Sequence, residues 1–240
     1  MQRALRQRLL QVDRNFCQES TRLYTDNSCT DNSAADNDDR EGKSTIRPAH
    51  DNQILRGLTM TITALLSANF HAAFSAAARA PEIPATADAY GWLIGSWELT
   101  VLHYGIDVRA LGIVGEVHFA WVLEGRAVQD VWIMPRRTER HADIDRACNM
   151  YGTTLRIWDA TLQAWRVTWI NPVAGQRDEL IGGWCGSDIV QLGRHADGTA
   201  IRWRFIEIAA NSFRWLGEAL QQDGQTWKLE GEFYAKRLLA

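Results

Sequence analysis

The chain has 240 residues, with 26 Lys and Arg against 29 Asp and Glu, and hydrophobic residues make up 46% of it. These values are ordinary for a globular protein of one domain with a tail, or of two small domains. The net charge of −3 argues against a general nucleic-acid binder, which normally carries an excess of basic residues. No nucleic-acid partner is therefore expected.

The first 59 residues differ in composition from the rest. The run from Thr25 to Ser44 is polar and has almost no branched or aromatic side chains, so it cannot bury enough surface to offset its ordering entropy. We expect residues 1–59 to be disordered, or to lie upstream of a native start at Met60. A short helix is predicted over Thr61–Arg79, where apolar residues recur at steps of three and four.

The segment Ile54–Ala80 leaves two cellular locations open. Its apolar stretch and the small residues before Pro81 resemble a signal peptide with its cleavage site, which would export the protein. A signal peptide begins a chain, however, and this segment lies well inside the sequence. No run approaches the roughly 20 apolar residues that span a bilayer. We expect a cytoplasmic protein with no membrane partner, with export as the alternative.

From Tyr90 onward the sequence changes character. Trp, Val, Ile and Phe occur in short runs separated by Gly, Asp and Asn. In the later runs apolar and polar residues alternate, which is typical of strands with one buried face. The runs predict ten strands: Trp97–Tyr104, Glu116–Leu123, Ala127–Met134, Thr153–Trp158, Trp165–Asn171, Glu179–Cys185, Asp188–Leu192, Ile201–Ile208, Phe213–Leu220 and Thr226–Arg237.

The connections between these strands are short. Two of them contain Asp-Gly, at Asp197 and Asp223, and this pair suits tight hairpin turns. No helix-length pattern separates the strands, which excludes a parallel sheet. We therefore predict a mainly β protein: residues 60–87 form the helix and a linker, and residues 88–240 form a single antiparallel meander barrel of about eight to ten strands.

Several segments resemble a known group of barrels. Gly91–Trp97 (GWLIGSW), which opens the first strand, resembles the G-x-W entry of lipocalin-like (calycin) barrels. Gly115–Asp130, Tyr151–Arg156 and Ala164–Pro172 look like the DUF1579-type family of uncharacterised proteins. The resemblance covers Asp88–Arg237 and implies a calycin-like fold. It does not choose a function, since the wider group includes fatty-acid binders, haem-binding nitrobindins and a few enzymes.

One departure from this group concerns haem. Nitrobindin-like proteins hold haem through a histidine late in the barrel, and the segment from Phe213 to Arg237 contains none. The nearest late histidine, His195, lies beside an Asp-Gly turn and is expected to be exposed. Haem is therefore disfavoured, and no cofactor is expected. No metal site is expected either, because the four cysteines include no closely spaced pair.

Tryptophan is the unusual residue of the composition: there are 11, all between Trp92 and Trp227. A buried tryptophan needs a partner for its indole N–H, so this number in one domain indicates an aromatic-lined cavity for a small apolar or aromatic molecule. The alternative is that the tryptophans fill ordinary cores at the barrel ends. The residues expected in the cavity wall are Trp121, Trp132, Trp169, Trp203 and Trp215.

Five polar residues are candidate anchors for the ligand: Arg126, Gln129, Asp130, Arg156 and Asn171. Asp130 lies among apolar residues and must be paired if it is buried, with Arg156 or Arg126 as its natural partner. Either arginine could instead clamp a carboxylate of the ligand in bidentate geometry. Both alternatives remain open.

An enzyme on the same barrel is the alternative function. Glu116 and His118 are two residues apart and share a strand face, so together with Asp130 they could supply proton transfer. Such a protein would be a cofactor-free isomerase, lyase or hydratase, and it would require His118 to point into the barrel. The sequence contains none of the usual motifs of phosphate binding or hydrolysis. It leaves the oligomeric state open, with a homodimer as one option.

Overall fold

The computed structural model describes residues 68–145 and 148–238, so the tail predicted over residues 1–59 lies outside the described residues. The strands in the described part are β1 (Ser75–Ala76), β2 (Gly95–Tyr104), β3 (Ile106–Asp107), β4 (Val114–Val122), β5 (Ala127–Met134), β6 (Met150–Asp159), β7 (Ala164–Asn171), β8 (Gln176–Cys185), β9 (Asp188–Arg194), β10 (Ala200–Ala209), β11 (Ser212–Leu220) and β12 (Trp227–Arg237). Residues 68–74 are α-helical. Short 3₁₀ helices occupy Ala85–Ala87, Gly91–Leu93, Arg109–Leu111 and Arg137–Glu139.

The sheet closes into a barrel because β2 pairs along both of its edges. Strands β4 to β12 pair antiparallel in sequence order, β12 then pairs with β2, and β2 pairs with β4. This closure confirms the predicted meander barrel, and each of the ten predicted strands corresponds to a barrel strand. Two-residue strands β1 and β3 are short additions at its edges. A barrel of this size has an interior that side chains fill or that holds one small ligand.

The N-terminal helix ends earlier than the sequence predicts. Residues 68–74 are helical, but Ser75 begins β1, which pairs with the last residues of β4. The predicted helix Thr61–Arg79 was therefore wrong beyond residue 74. The physical reason is that β2 pairs with β4 only as far as Phe119, so the end of β4 has backbone groups that still need hydrogen-bond partners. None of the described helical residues forms a segment long and apolar enough to cross a membrane.

One end of the barrel is packed with aromatic side chains. The largest fully buried ones are Tyr90, Trp97, Trp165, Phe205 and Phe213. The segment before β2 supplies partners for the indoles: Trp97 Nε1 donates to Leu93 O at 2.7 Å. Trp165 Nε1 donates to Ala87 O at 2.8 Å, and the Arg237 guanidinium lies 4.0 Å from the Trp97 ring centre. These two tryptophans therefore fill an ordinary core at a barrel end, which is the alternative to a place in the cavity wall.

Gly125 places the β4–β5 turn against the segment before β2. Its φ is +80°, and a Cβ there would overlap Ala78 O and lie 2.7 Å from Ala80 N. Gly224 provides a matched control, because its φ is +68° and a Cβ there meets nothing within 4 Å. Both changes to alanine carry the left-handed cost of about 1–2 kcal/mol, but only Gly125→Ala must also displace backbone. We expect Gly125→Ala to lower the free energy of unfolding in urea by about 2 kcal/mol more than Gly224→Ala. Equal losses would contradict this packing.

Candidate functional site

The end of the barrel opposite the aromatic core contains a cavity of about 340 Å³. Its larger apolar lining residues are Tyr104, Trp132, Met150, Trp169, Trp203, Trp215 and Phe233. Its polar side chains belong to Thr154, Arg156, Gln176, His195 and Glu230. The volume is at the lower end of the range of about 300–1,000 Å³ that is typical of small-molecule sites. Four of the five tryptophans expected in the wall are among the lining residues.

The tryptophans of the wall form a continuous aromatic surface. Ring centres are 6.2 Å apart for Trp169 and Trp203, and 5.6 Å apart for Trp203 and Trp215. Trp215 continues to Trp132 at 5.7 Å and to Phe233 at 5.4 Å. Tilted and edge-to-face contacts at these separations stabilise aromatic pairs beyond simple burial. The rings therefore hold one another in place without a ligand.

Glycines on the wall make room for two of these indoles. A Cβ on Gly152 would overlap the ring of Trp169 on the neighbouring strand. A Cβ on Gly217 or Gly231 would lie 2.7 or 3.0 Å from the Trp215 ring, closer than unstrained contact allows. Any larger residue at these positions would push an indole toward the barrel interior. The volume of the cavity depends on these glycines as well as on the tryptophans.

Asp130 and Arg156 form a buried ion pair deep in the barrel. Arg156 Nη1 donates to Asp130 Oδ2 at 2.6 Å, and each side chain is no more than 2% exposed. The other carboxylate oxygen accepts a hydrogen bond from the Thr154 backbone N–H at 2.7 Å. The guanidinium also lies 5.0 Å from the centre of the Tyr90 ring, and burial raises the pKa of that tyrosine. The structure thus pairs Asp130 with Arg156, one of the two partners that the sequence suggests.

His195 joins two carboxylates near the strand ends that surround the cavity. Its Nδ1 lies 2.9 Å from Asp178 Oδ1, and its Nε2 lies 3.1 Å from Glu230 Oε2. The hydrogen bonds to Asp178 and Glu230 raise the pKa of His195 to about 10. The imidazole is therefore protonated at neutral pH and donates from both nitrogens. Gln176, another lining residue, donates to Asp178 at 2.6 Å.

The sequence-based expectation for His195 was wrong. The Asp-Gly turn that follows it is exposed, but His195 itself is half-buried and lines the cavity because two carboxylates from other strands hold its ring. Both of its ring nitrogens are engaged, so neither offers a lone pair to iron. His195 is therefore unsuited to ligate haem because its two carboxylate partners occupy both ring nitrogens. No metal-binding cluster of His, Cys, Asp and Glu is found within residues 68–145 and 148–238.

Glu116 and His118 lie on the outside of the barrel. Alternate residues of β4 are buried in the core, so these two side chains face the other way. His118 contacts Ser96 Oγ at 2.9 Å and Glu116 at 3.2 Å. Burial works against ionisation of Glu116, but hydrogen bonds from Arg137 and His118 outweigh it and lower the Glu116 pKa to about 2. Asp130 points into the barrel, so the proposed acid–base set does not assemble, and this enzyme hypothesis is corrected.

Four other candidate ligand contacts do not line the cavity. Trp121 packs in the core. Arg126 lies in the exposed β4–β5 turn, where it pairs with two exposed glutamates. Gln129 donates to a threonine of β6 at 2.8 Å on the outer face. Asn171 is fully buried and reaches the hydroxyl of a lining tyrosine at 3.5 Å. Of the predicted polar set, Arg156 lines the cavity itself, and Asp130 is connected to the cavity through Arg156.

Comparison with other proteins adds no functional assignment. No known protein family matches the chain, and no curated protein matches it either. The chemistry available at the site therefore has to be inferred from its geometry. That geometry combines a continuous aromatic wall, one buried ion pair and a protonated histidine between two carboxylates.

The ion pair generates a test of stability. Arg156→Met leaves Asp130 buried without its partner, so we expect it to lower the free energy of unfolding by about 3–5 kcal/mol. The double variant Asp130→Leu, Arg156→Met removes both charges and should lose less than the single variant, because no buried charge is left unpaired. Urea denaturation of both variants measures the difference. A double variant that is less stable than the single one would contradict the buried pair.

His195 generates a test of pH dependence. Its pKa of about 10 in the folded protein lies above the ordinary value of 6.5, so its stabilising contribution is complete below the ordinary pKa and disappears as pH rises through the folded pKa. We expect the stability difference between wild type and His195→Gln to shrink steadily from about pH 6 to about pH 10. In this difference, the pH dependence that comes from groups present in both proteins cancels. A difference that stays constant over this range would contradict the bridge to Asp178 and Glu230.

Proposed function

We propose that the barrel binds one small, largely apolar molecule in its cavity, with an aromatic portion among the tryptophans. The observation that carries this proposal is a cavity of about 340 Å³ in a barrel whose other end is filled. Protein interiors are close-packed, and unfilled apolar volume lowers stability. A wall of interlocked indoles around open volume is therefore better explained by ligand binding than by core packing.

The size of the cavity limits the ligand. Its volume of about 340 Å³ is close to the smallest volumes, about 300 Å³, of pockets that bind small molecules. A molecule of one or two rings with short substituents fits this volume. Because most of the wall is apolar and a few polar groups converge on it, the arrangement matches the general composition of small-molecule sites.

A relationship to calycin barrels is a further part of the proposal. The closed meander supports it, as does the position of the segment Gly91–Trp97, which places a fully buried tryptophan at the start of the first barrel strand. In that case the cavity corresponds to the barrel interior in which members of such families carry ligands. Fold analogy alone selects no ligand.

The test uses 6-propionyl-2-(dimethylamino)naphthalene, an uncharged two-ring dye whose fluorescence shifts to the blue in apolar surroundings, titrated into the full chain. We expect saturable binding to one site. Trp169→Phe should weaken the affinity about fivefold, because the lost contact is equivalent to about 1 kcal/mol. Trp184→Phe is the matched control, since Trp184 is also a strand tryptophan but lies at the filled end of the barrel, where its Nε1 donates to Asp88 O at 3.3 Å, and is 37% exposed.

The outcomes of this titration separate the alternatives. Saturable binding that Trp169→Phe weakens and Trp184→Phe leaves unchanged supports the cavity as the site. Equal effects of the two substitutions would place the dye outside the cavity. A linear, non-saturating response would contradict the proposed function.

A further inference from the structure

Arg156 has a buried donor without a partner. Its Nη1 is engaged by Asp130, but its Nε makes no hydrogen bond within the described part of the chain. Arg156 is 1% exposed and lines the cavity. Of the buried side-chain atoms that lack a hydrogen-bond partner in the described part of the chain, Arg156 Nε is the one that belongs to a residue lining the cavity. A buried donor left unsatisfied lowers stability, so a ligand whose acceptor atom meets Nε after a small shift of the guanidinium would gain a strong hydrogen bond.

The charges around the cavity argue against an anionic ligand. Two cations, Arg156 and protonated His195, are already paired with carboxylates. Three carboxylates, Asp130, Asp178 and Glu230, line the cavity or bond to its lining side chains. Together with the two cations they leave one excess negative charge. A ligand carboxylate would enter next to Glu230 and find no free counter-ion. Burying a charge without one is unfavourable.

An organic cation is the opposing case. Indole faces attract cations, and Glu230 would complement a positive charge near the strand ends. A cation, however, offers no acceptor to Arg156 Nε, and its charge would be repelled by the guanidinium. The unpartnered Nε and the apolar wall together favour an uncharged ligand with an acceptor.

We infer that the cavity selects an uncharged one- or two-ring aromatic molecule whose carbonyl-type oxygen accepts a hydrogen bond from Arg156 Nε. This inference rests on the proposed function and adds the chemical class of the ligand. The aromatic part lies among Trp169, Trp203 and Trp215, and the oxygen points toward the middle of β6. Asp178 and Glu230 exclude carboxylates of the same size.

Four probes of similar size test this inference by calorimetric titration of the full chain: coumarin, naphthalene, 2-naphthoate and N-methylquinolinium. They are, in order, a neutral ring system with a carbonyl, one without an acceptor, an anion and a cation. We expect coumarin to bind about tenfold more tightly than naphthalene, which corresponds to one hydrogen bond from a charged donor. We expect 2-naphthoate to bind more weakly than either neutral probe.

Each other result has a defined meaning. Tightest binding of 2-naphthoate or of N-methylquinolinium would overturn the inference while supporting the proposed function. Equal affinity for coumarin and naphthalene would overturn the role of Arg156 Nε. Failure of all four probes to bind would contradict the proposed function itself, and the inference with it.

Two variants locate the selectivity. The double variant Asp130→Leu, Arg156→Met removes the donor without leaving a buried charge, so the ratio of coumarin to naphthalene affinity should fall to about one. Glu230→Gln keeps the shape of the side chain and removes its charge, so the ratio of 2-naphthoate to naphthalene affinity should rise. Thermal unfolding and circular dichroism of each variant check that it is folded. Unchanged ratios in folded variants would overturn the assignment of these residues.

Discussion

The buried ion pair between Asp130 and Arg156 divides the interior of the barrel into two parts. On one side the guanidinium faces the rings of Tyr90, Phe119 and Phe205, which belong to the packed core. On the other side Arg156 borders the cavity. Apolar side chains packed on this second side would leave the Arg156 Nε donor buried without a partner, which lowers stability. The pair therefore forms the floor of the cavity. Among the described lining residues, Arg156 is the charged one that lies deep in the barrel.

The same residue type has two different roles along the barrel. Trp97 and Trp165 donate their indole N–H groups to backbone carbonyls of the segment before β2, and this segment fills one end. Trp203 and Trp215 instead contact other aromatic rings and border open volume. Glycine makes the difference at Trp215, because Gly217 and Gly231 leave space for its ring beside the wall. The residues that surround each tryptophan thus decide whether its end of the barrel is packed or contains the cavity.

The alternation of residues in the sequence was enough to predict the strands, but not which of their faces line the cavity. The abundance of tryptophan pointed to Trp132, Trp169 and Trp203 as wall residues, and the need to neutralise a buried carboxylate pointed from Asp130 to Arg156 or Arg126. Alternation failed for His195 at its strand end: Asp178 and Glu230, which belong to other strands, hold its ring at the cavity. It also could not decide which face of β4 is inside, so the enzyme alternative required Glu116 and His118 to point into the barrel, and both lie on its outside. No local pattern encodes such pairings, because the register of the closed barrel determines them.

The central claim is that the cavity holds an uncharged aromatic ligand with Arg156 Nε as its donor. A crystal structure of the protein with coumarin bound tests this claim most directly. The account predicts coumarin among Trp169, Trp203 and Trp215, with its carbonyl oxygen within about 3 Å of Arg156 Nε. Coumarin bound on the outer face of the barrel, or in the cavity with its carbonyl turned away from Arg156, would contradict the account.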